Sequence, residues 1–228
     1  MSDKAIKQFD FYEFAAVLCP GALLLFALTR LIPELGFLTN KDTFSFGDLG
    51  VFVLLAYVAG QFVQAVGTAI AYIWWKSWGG LPSDWARSGK HKLLAQQQTA
   101  LLPARLAKLT EINARSGISG FSADDWYLIT RQIYAVVRHA GRSERIDIFN
   151  GYYGMFRGLA ACLLLVIIAI AVQRGFGNPR LYVLLVGALV LAIFRMHRFA
   201  VNYARELFVQ FLATQKTDKP AAAPKEAE

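Results

Sequence analysis

Two groups of side chains in this sequence have types and spacings that could do chemistry. The first group lies inside an apolar run, at spacings of four, three, four and four residues, and consists of Tyr57, Gln61, Gln64, Thr68 and Tyr72. These spacings place all five side chains on one stripe of a helix. Such a stripe could line a water-filled path in an assembled oligomer. Alternatively, each amide hydrogen-bonds a neighbouring helix, a contact worth about 0.6 and up to roughly 2 kcal/mol.

The second group alternates aromatic and basic residues along a predicted helix. Its members are Tyr127, Arg131, Tyr134 and Arg138, followed by Arg142 and Arg145. Aromatic rings beside guanidinium groups can stack on a base and hold a phosphate, which would suit a nucleotide-type anionic ligand. The same side chains would also suit solvent, anionic lipid headgroups or a cytoplasmic protein partner.

Residue patterns that usually carry enzymatic chemistry are missing from the sequence. It has no phosphate-binding loop, dinucleotide fingerprint, nucleophile elbow, HExxH pattern or carboxylate pair at catalytic spacing. The three histidines are scattered without ligand-like spacing, and Cys19 and Cys162 fall inside apolar blocks. We therefore predict no catalytic, cofactor-binding or metal-binding residue, and a protein that is not an enzyme.

The elements that must position these residues are membrane-spanning helices. The 228 residues are 56% hydrophobic, and the apolar residues are concentrated in blocks that carry little charge. The blocks predict spans at about 14–32, 49–75, 155–172 and 181–194. The first contains Pro20-Gly21, which we expect to kink the helix or loosen its packing. The sequence thus predicts an all-α protein with four transmembrane helices.

The distribution of Lys and Arg orients these spans. Twenty of the 24 lie on the side that holds both termini and the segment between spans two and three, against four on the other side. Basic residues favour the cytoplasmic side of a membrane. We therefore predict a multi-pass protein of the lipid bilayer, with both termini and the segment between spans two and three in the cytoplasm.

The same pattern divides the chain into four parts. Residues 1–75 form an N-terminal transmembrane hairpin, and residues 76–150 form a basic, helical cytoplasmic insert between spans two and three. Residues 151–214 form a C-terminal hairpin with a helical cytoplasmic extension, and residues 215–228 form a disordered tail. The extension is apolar enough that it must pack on the insert or on a neighbouring subunit.

Local signals refine two of these parts. In the insert, Ser122 is a plausible N-cap for a helix over about 123–140 that Gly141 closes. In the spans, small residues occur at helix-packing spacings and include Gly60, Gly67 and the pair Gly154 and Gly158. Because small residues let helices approach closely in lipid, they favour a tight bundle or a homo-oligomer.

The opening of the first span carries a resemblance to a known group of proteins. The stretch "FDFYEFAAVLCPGALLLFAL" resembles the first span of small multi-pass inner-membrane proteins from bacterial anti-phage defence systems. Their acidic-aromatic lead likewise precedes an apolar run with an internal Pro-Gly. The resemblance covers about 20 residues, and the four-span layout with an insert is similar to that of membrane subunits of cyclic-nucleotide-signalling or Kiwa-type systems.

The resemblance implies a non-enzymatic, oligomeric membrane sensor or effector of a defence system. In such proteins a cytoplasmic partner or ligand reports infection and the membrane bundle responds. Two other functions fit the same residues. One is a small channel or transporter subunit with the polar stripe as its path, and the other is a membrane scaffold that recruits a soluble enzyme.

Overall fold

A computed structural model describes residues 13–38, 45–110 and 118–214 of the chain. Within these ranges the regular structure is helical and no strand occurs, which confirms the all-α prediction for the described part. The expected disorder of residues 215–228 falls outside the described residues.

Four helical segments are long and apolar enough to cross a membrane. The first consists of a π-helical turn, Glu13–Leu18, that continues into helix α1, Cys19–Leu31. The others are helices α2, Phe46–Ser77, α6, Glu144–Arg174, and α7, Pro179–Thr214. The number of candidate spans agrees with the sequence-based prediction.

Helices α2, α6 and α7 extend beyond the apolar runs that predicted them. Helix α2 begins at a capping box, in which the Ser45 hydroxyl accepts from the backbone N–H of Asp48 and the Asp48 carboxylate accepts from that of Ser45. Hydropathy marks only the part of a helix that suits lipid. The backbone hydrogen bonds continue for as long as the residues tolerate helical geometry.

Shorter helices fill the segment between α2 and α6. They are α3, Pro82–Ser88, α4, Gln96–Thr110, and α5, Ala123–His139, with 3-10 turns at Pro33–Leu38 and Ile118–Gly120. The Ser122 hydroxyl accepts from the backbone N–H of Asp125, which confirms the predicted N-cap of α5. Gly141 has a φ of +72°, a conformation that glycine adopts without strain, and it follows the end of α5.

The chain divides into two compact units. The bundle unit comprises the described residues up to Trp78 together with Asp147–Ala200. The insert unit comprises the described residues of Gly79–Ile146 together with those from Val201 onward. Helix α7 therefore supplies residues to both units. Helix α6 does so too, because its first residues, up to Ile146, belong to the insert unit.

The core of the bundle unit is built from α1, α2 and α6. Its fully or nearly buried members are Leu24, Leu31, Val63, Ala161, Cys162, Val166 and Ile170. Helices α1 and α2 approach most closely at Gly21, where a Cβ atom would overlap the carbonyl oxygen of Ala56. The Pro20-Gly21 pair thus lies at a tight helix contact, whereas the sequence led us to expect a kink or looser packing. The contact contradicts the looser packing, and the kink stays a prediction.

The core of the insert unit explains the apolar end of α7. Leu207, Phe208 and Phe211 are almost completely buried and pack in one cluster with the buried face of α5 and with α4. The Trp126 ring of α5 stacks on Phe208 at 5.9 Å between centroids, and its Nε1–H donates to the Ser83 carbonyl at 2.9 Å. Of the two partners expected for the C-terminal extension, the structure shows the insert.

Candidate functional site

One side chain, Gln64 of α2, connects three segments of the bundle unit. Only 8% of Gln64 is exposed. Its amide nitrogen donates to the carbonyl oxygens of Ala16 and Gly154, the latter at 3.2 Å. Its amide oxygen accepts from Nε and Nη2 of Arg157 at 3.2 and 2.7 Å. Both ends of the amide are therefore satisfied, as burial in an apolar core requires.

Glycines make room for this polar junction. A Cβ on Gly158 would lie 2.6 Å from the Gln64 amide nitrogen, and one on Gly60 would overlap the Val17 carbonyl oxygen. A Cβ on Gly67 would lie 3.0 Å from the Arg157 carbonyl oxygen. Gly154 contributes its carbonyl to the junction. All four predicted packing glycines thus lie at or beside the helix contacts around Gln64.

The junction continues from Arg157 into aromatic residues. The Arg157 guanidinium lies 5.6 Å from the centre of the Tyr153 ring, and the Tyr153 hydroxyl accepts from Trp75 Nε1 at 3.2 Å. Among the described residues, no carboxylate lies within ion-pair distance of Arg157. A neutral amide and an aromatic face hold this cation instead, an arrangement that keeps the charge but leaves donors of the guanidinium available.

The predicted polar stripe of α2 lies along the border of the buried face of that helix. Gln64 lies on the buried side, whereas Tyr57, Gln61, Thr68 and Tyr72 are exposed on the single chain. The Thr68 hydroxyl donates to the Gln64 carbonyl at 2.9 Å. Gln61 has no hydrogen-bond partner among the described residues. The stripe therefore separates into one interior amide and an outward row of four residues.

A second concentration of rings in the bundle unit involves α6 and α7. The Arg195 guanidinium lies over the rings of Phe156 and Phe199, at 5.3 and 4.9 Å from their centres. Those two rings stack nearly parallel at 5.6 Å, and Tyr152 stacks on Phe199 at 4.9 Å. The guanidinium thus lies over two aromatic rings, one of which stacks on a third.

His197 lies among the tryptophans at the end of α2. Its Nδ1 accepts from Trp74 Nε1 at 3.2 Å, and its ring centre lies 5.1 Å from that of Trp75 and 4.6 Å from that of Trp78. Trp and Tyr with one wet and one apolar side are typical of the interface between lipid and water. This cluster therefore has the composition of an interfacial aromatic belt.

The predicted basic-aromatic surface of α5 is only partly continuous. Tyr127 and Arg131 are exposed and joined, because Arg131 Nη1 donates to the Tyr127 hydroxyl at 3.0 Å. Tyr134 packs against the insert core, and Arg145 Nε lies 3.9 Å from Glu206 Oε2. Arg138 and Arg142 are exposed. Within this surface Tyr127 and Arg131 contact each other. The binding role of all six residues stays a prediction.

The insert unit also contains a cavity that the sequence did not indicate. Its volume is about 380 Å³, within the range of small-ligand pockets, and its lining includes Trp85, His91, Lys92, Gln96 and Thr99. The Trp85 and His91 rings lie 4.5 Å apart. These residues come from α3, from the loop after it and from the first turn of α4, so no periodicity in the sequence groups them.

Two cationic side chains of the bundle unit escaped the sequence-based site prediction. In the sequence, Arg157 and Arg195 lie near the ends of the apolar runs of spans three and four, where a charge usually orients a helix. The sequence does contain a signal for both, because an aromatic residue directly precedes each arginine, Phe156 before Arg157 and Phe194 before Arg195. Small residues also lie on both sides of Arg157.

Groups of three or more His, Cys, Asp or Glu that could hold a metal ion are absent from the described ranges. Comparisons of the chain with models of protein families, with curated proteins and with solved structures find no match.

Proposed function

We propose that this chain is a non-enzymatic, oligomeric sensor or effector of the bacterial inner membrane. The insert unit receives a cytoplasmic protein partner or an anionic ligand, and the bundle unit changes its packing in response. The place of the protein in anti-phage defence rests on the resemblance of residues 9–28 to the first span of such proteins.

The observation that carries the proposal is the sharing of helix α7 between the two units. Met196 and Ala200 are buried in the bundle unit, and Leu207 and Phe208 are buried in the core of the insert unit. One continuous helix, Pro179–Thr214, holds all four residues. A partner that repacks the insert core must move the end of this helix, and a packed helix transmits such a shift to its other contacts.

Arginines at two levels along the helices support placement in a bilayer. Arg157 and Arg174 of α6 lie 17 residues apart, about 26 Å at the helical rise, and Arg180 and Arg195 of α7 lie about 22 Å apart. The hydrocarbon core is about 30 Å thick, and arginine stems can reach its border. The positive-inside rule then assigns the end with Arg157 and Arg195 to the cytoplasm.

The exposed row of α2 supports assembly into an oligomer. Gln61 is surrounded on this face by apolar side chains such as Val58 and Phe62, both of them exposed. An amide that faces hydrocarbon without a partner is unfavourable, so another copy of the chain is its natural hydrogen-bond partner. The same row would line a path if the copies enclosed water, and this observation favours a channel or transporter subunit as the second candidate.

The experiment separates the coupling from the folding of either unit. Two glycines are inserted between Ala200 and Val201, where the bundle unit ends and the insert unit resumes. The control carries the same insertion after Thr214, the last residue of α7. Both variants are expressed in bacteria together with the genes that flank this one in its own genome. Efficiency of plating is measured against a phage panel, and dye influx is measured after infection.

The proposal expects wild type and the control to protect the cells, and the variant with the interrupted helix to lose protection while its membrane level stays normal. Equal protection by all three chains would contradict coupling through α7. Dye influx without infection would favour the channel. A stoichiometric soluble enzyme that co-purifies, with membrane conductance unchanged throughout, would favour the scaffold.

A further inference from the structure

Arg195 is a half-buried cation whose surroundings are incomplete. Its guanidinium is fixed over Phe156 and Phe199. Among the described residues, neither a carboxylate nor a hydrogen-bond acceptor contacts it. A guanidinium has five N–H donors in a rigid fork, and it is a costly group to hold without an acceptor. The rings therefore hold it with donors available to an anion that the described part of the chain does not supply.

The neighbourhood of Arg195 on α7 indicates what this anion is. Arg198 lies three residues further along the same helix and is exposed, and it too has no ion pair among the described residues. On the other side of Arg195, towards Arg180, the side chains of Val190, Leu191 and Phe194 are between 58 and 61% exposed. Two cations thus lie at the end of an outward-facing apolar strip about one and a half turns long.

A phosphate with acyl chains attached fits both features at once. The phosphate accepts from the Arg195 fork in bidentate geometry, an arrangement that arginine favours over lysine. The acyl chains then cover the apolar strip, which is left exposed by the residues that the structure describes. Free inorganic phosphate could use the same donors, but it would leave the strip exposed to water.

We propose that Arg195 and Arg198 form a binding site for the phosphate of an anionic phospholipid in the cytoplasmic leaflet, with its acyl chains on Val190, Leu191 and Phe194. Such a site fixes the height of α7 in the membrane. Because α7 also enters the core of the insert unit, the bound lipid helps to set the position of α7 before a partner binds the insert unit. The inference rests on the proposed membrane placement, and the sensing role is not needed for it.

The test measures lipid retention by the full-length protein, without any trigger. Phosphatidylglycerol or phosphatidylcholine is titrated into the detergent-solubilised protein, and bound lipid is counted by native mass spectrometry. The variants are Arg195→Gln, Arg195→Lys and the double change Arg195→Gln/Arg198→Gln. The matched control is Lys108→Gln, which removes an exposed cation of the insert unit that belongs to none of the proposed sites. A parallel arm replaces the lipid with inorganic phosphate, and melting temperatures in detergent verify folding.

The proposal expects wild type and Lys108→Gln to prefer phosphatidylglycerol. Arg195→Gln should weaken its binding about tenfold, in the range of one charged hydrogen-bonded contact. Arg195→Lys should bind at an intermediate level, because lysine keeps the charge but loses the fork and the ring stacking. Equal binding of the two lipids by wild type, or an unchanged affinity in Arg195→Gln, would overturn the site. Inorganic phosphate that binds as tightly as the lipid would overturn the lipid as occupant.

Equal protection by wild type and both insertion variants in the infection assay, with lipid binding intact, would remove only the sensing role. Loss of the lipid preference with protection intact would remove only the lipid site. The two proposals are thereby tested separately.

Discussion

The amide oxygen of Gln64 accepts two hydrogen bonds from the guanidinium of Arg157, at 3.2 and 2.7 Å. The pair joins helix α2 to helix α6, and the Gln64 amide nitrogen extends the contact to the carbonyl oxygen of Ala16 before α1. A single amide on α2 therefore satisfies groups on two other segments. Its loss would leave a cation and two carbonyls without their partner in an apolar core.

Gln64→Leu should destabilise the bundle unit more than Gln61→Leu does, because the change at Gln61 removes only a contact with another copy of the chain. Leucine at position 64 cannot accept from Arg157, and a buried donor without a partner costs about 1 to 3 kcal/mol. Gln61 makes no such bond, so it is the matched control three residues away. The measurement is the melting temperature of each purified variant in detergent. Equal melting temperatures of the two variants would contradict the role of the junction.

Gly60→Ala should be strongly destabilising because the added methyl group would overlap the Val17 carbonyl oxygen. A helix backbone cannot move away without breaking the contact between α1 and α2. The control is Gly187→Ala, since that glycine lies within α7 with nothing within 4 Å of the added Cβ. Alanine is a better helix former than glycine by about 1 kcal/mol, so the control should melt at the same or a higher temperature.

Phe208→Ala should unfold or loosen the insert unit. Phe208 is completely buried against Trp126, and removing a buried phenylalanine costs about 3 to 5 kcal/mol. The same change at Phe194, which is 58% exposed, serves as the control. Limited proteolysis should cleave Phe208→Ala within residues 79–146 faster than Phe194→Ala. Identical cleavage rates would show that the C-terminal end of α7 is dispensable for the insert core.

Gln61→Leu should shift the protein towards smaller assemblies, because it removes the amide that another copy of the chain would bind. Polar contacts between helices in a membrane contribute about 0.6 to 2 kcal/mol each, and a symmetric oligomer repeats the contact at every interface. Phe62→Leu, next to it and also exposed, is the control. Mass photometry in detergent gives the distribution of assembly sizes.

A wild-type protein that is monomeric in this measurement would contradict the oligomer, and with it the central path. An oligomer whose size is the same in Gln61→Leu would place the interface elsewhere on the chain.

The sequence by itself determined the helical fold, the number of candidate spans and the N-cap at Ser122. These features depend on local hydropathy and hydrogen bonding within a few residues, which composition and periodicity record directly. It also identified Gln64 and the small residues near it as unusual, because an amide in an apolar run needs a partner somewhere.

Only the tertiary structure decided which partners these residues have. The spacing that grouped Gln64 with Gln61 describes one helix, whereas burial depends on where α1 and α6 cover that helix, so the two amides separate. Arg157 became part of the junction because Gly67 and Gly158 let α6 approach α2. The apolar end of α7 packs in the insert core with residues of α4 and α5 that lie far from it in sequence. Contacts between residues far apart in sequence leave no local pattern from which they could be read.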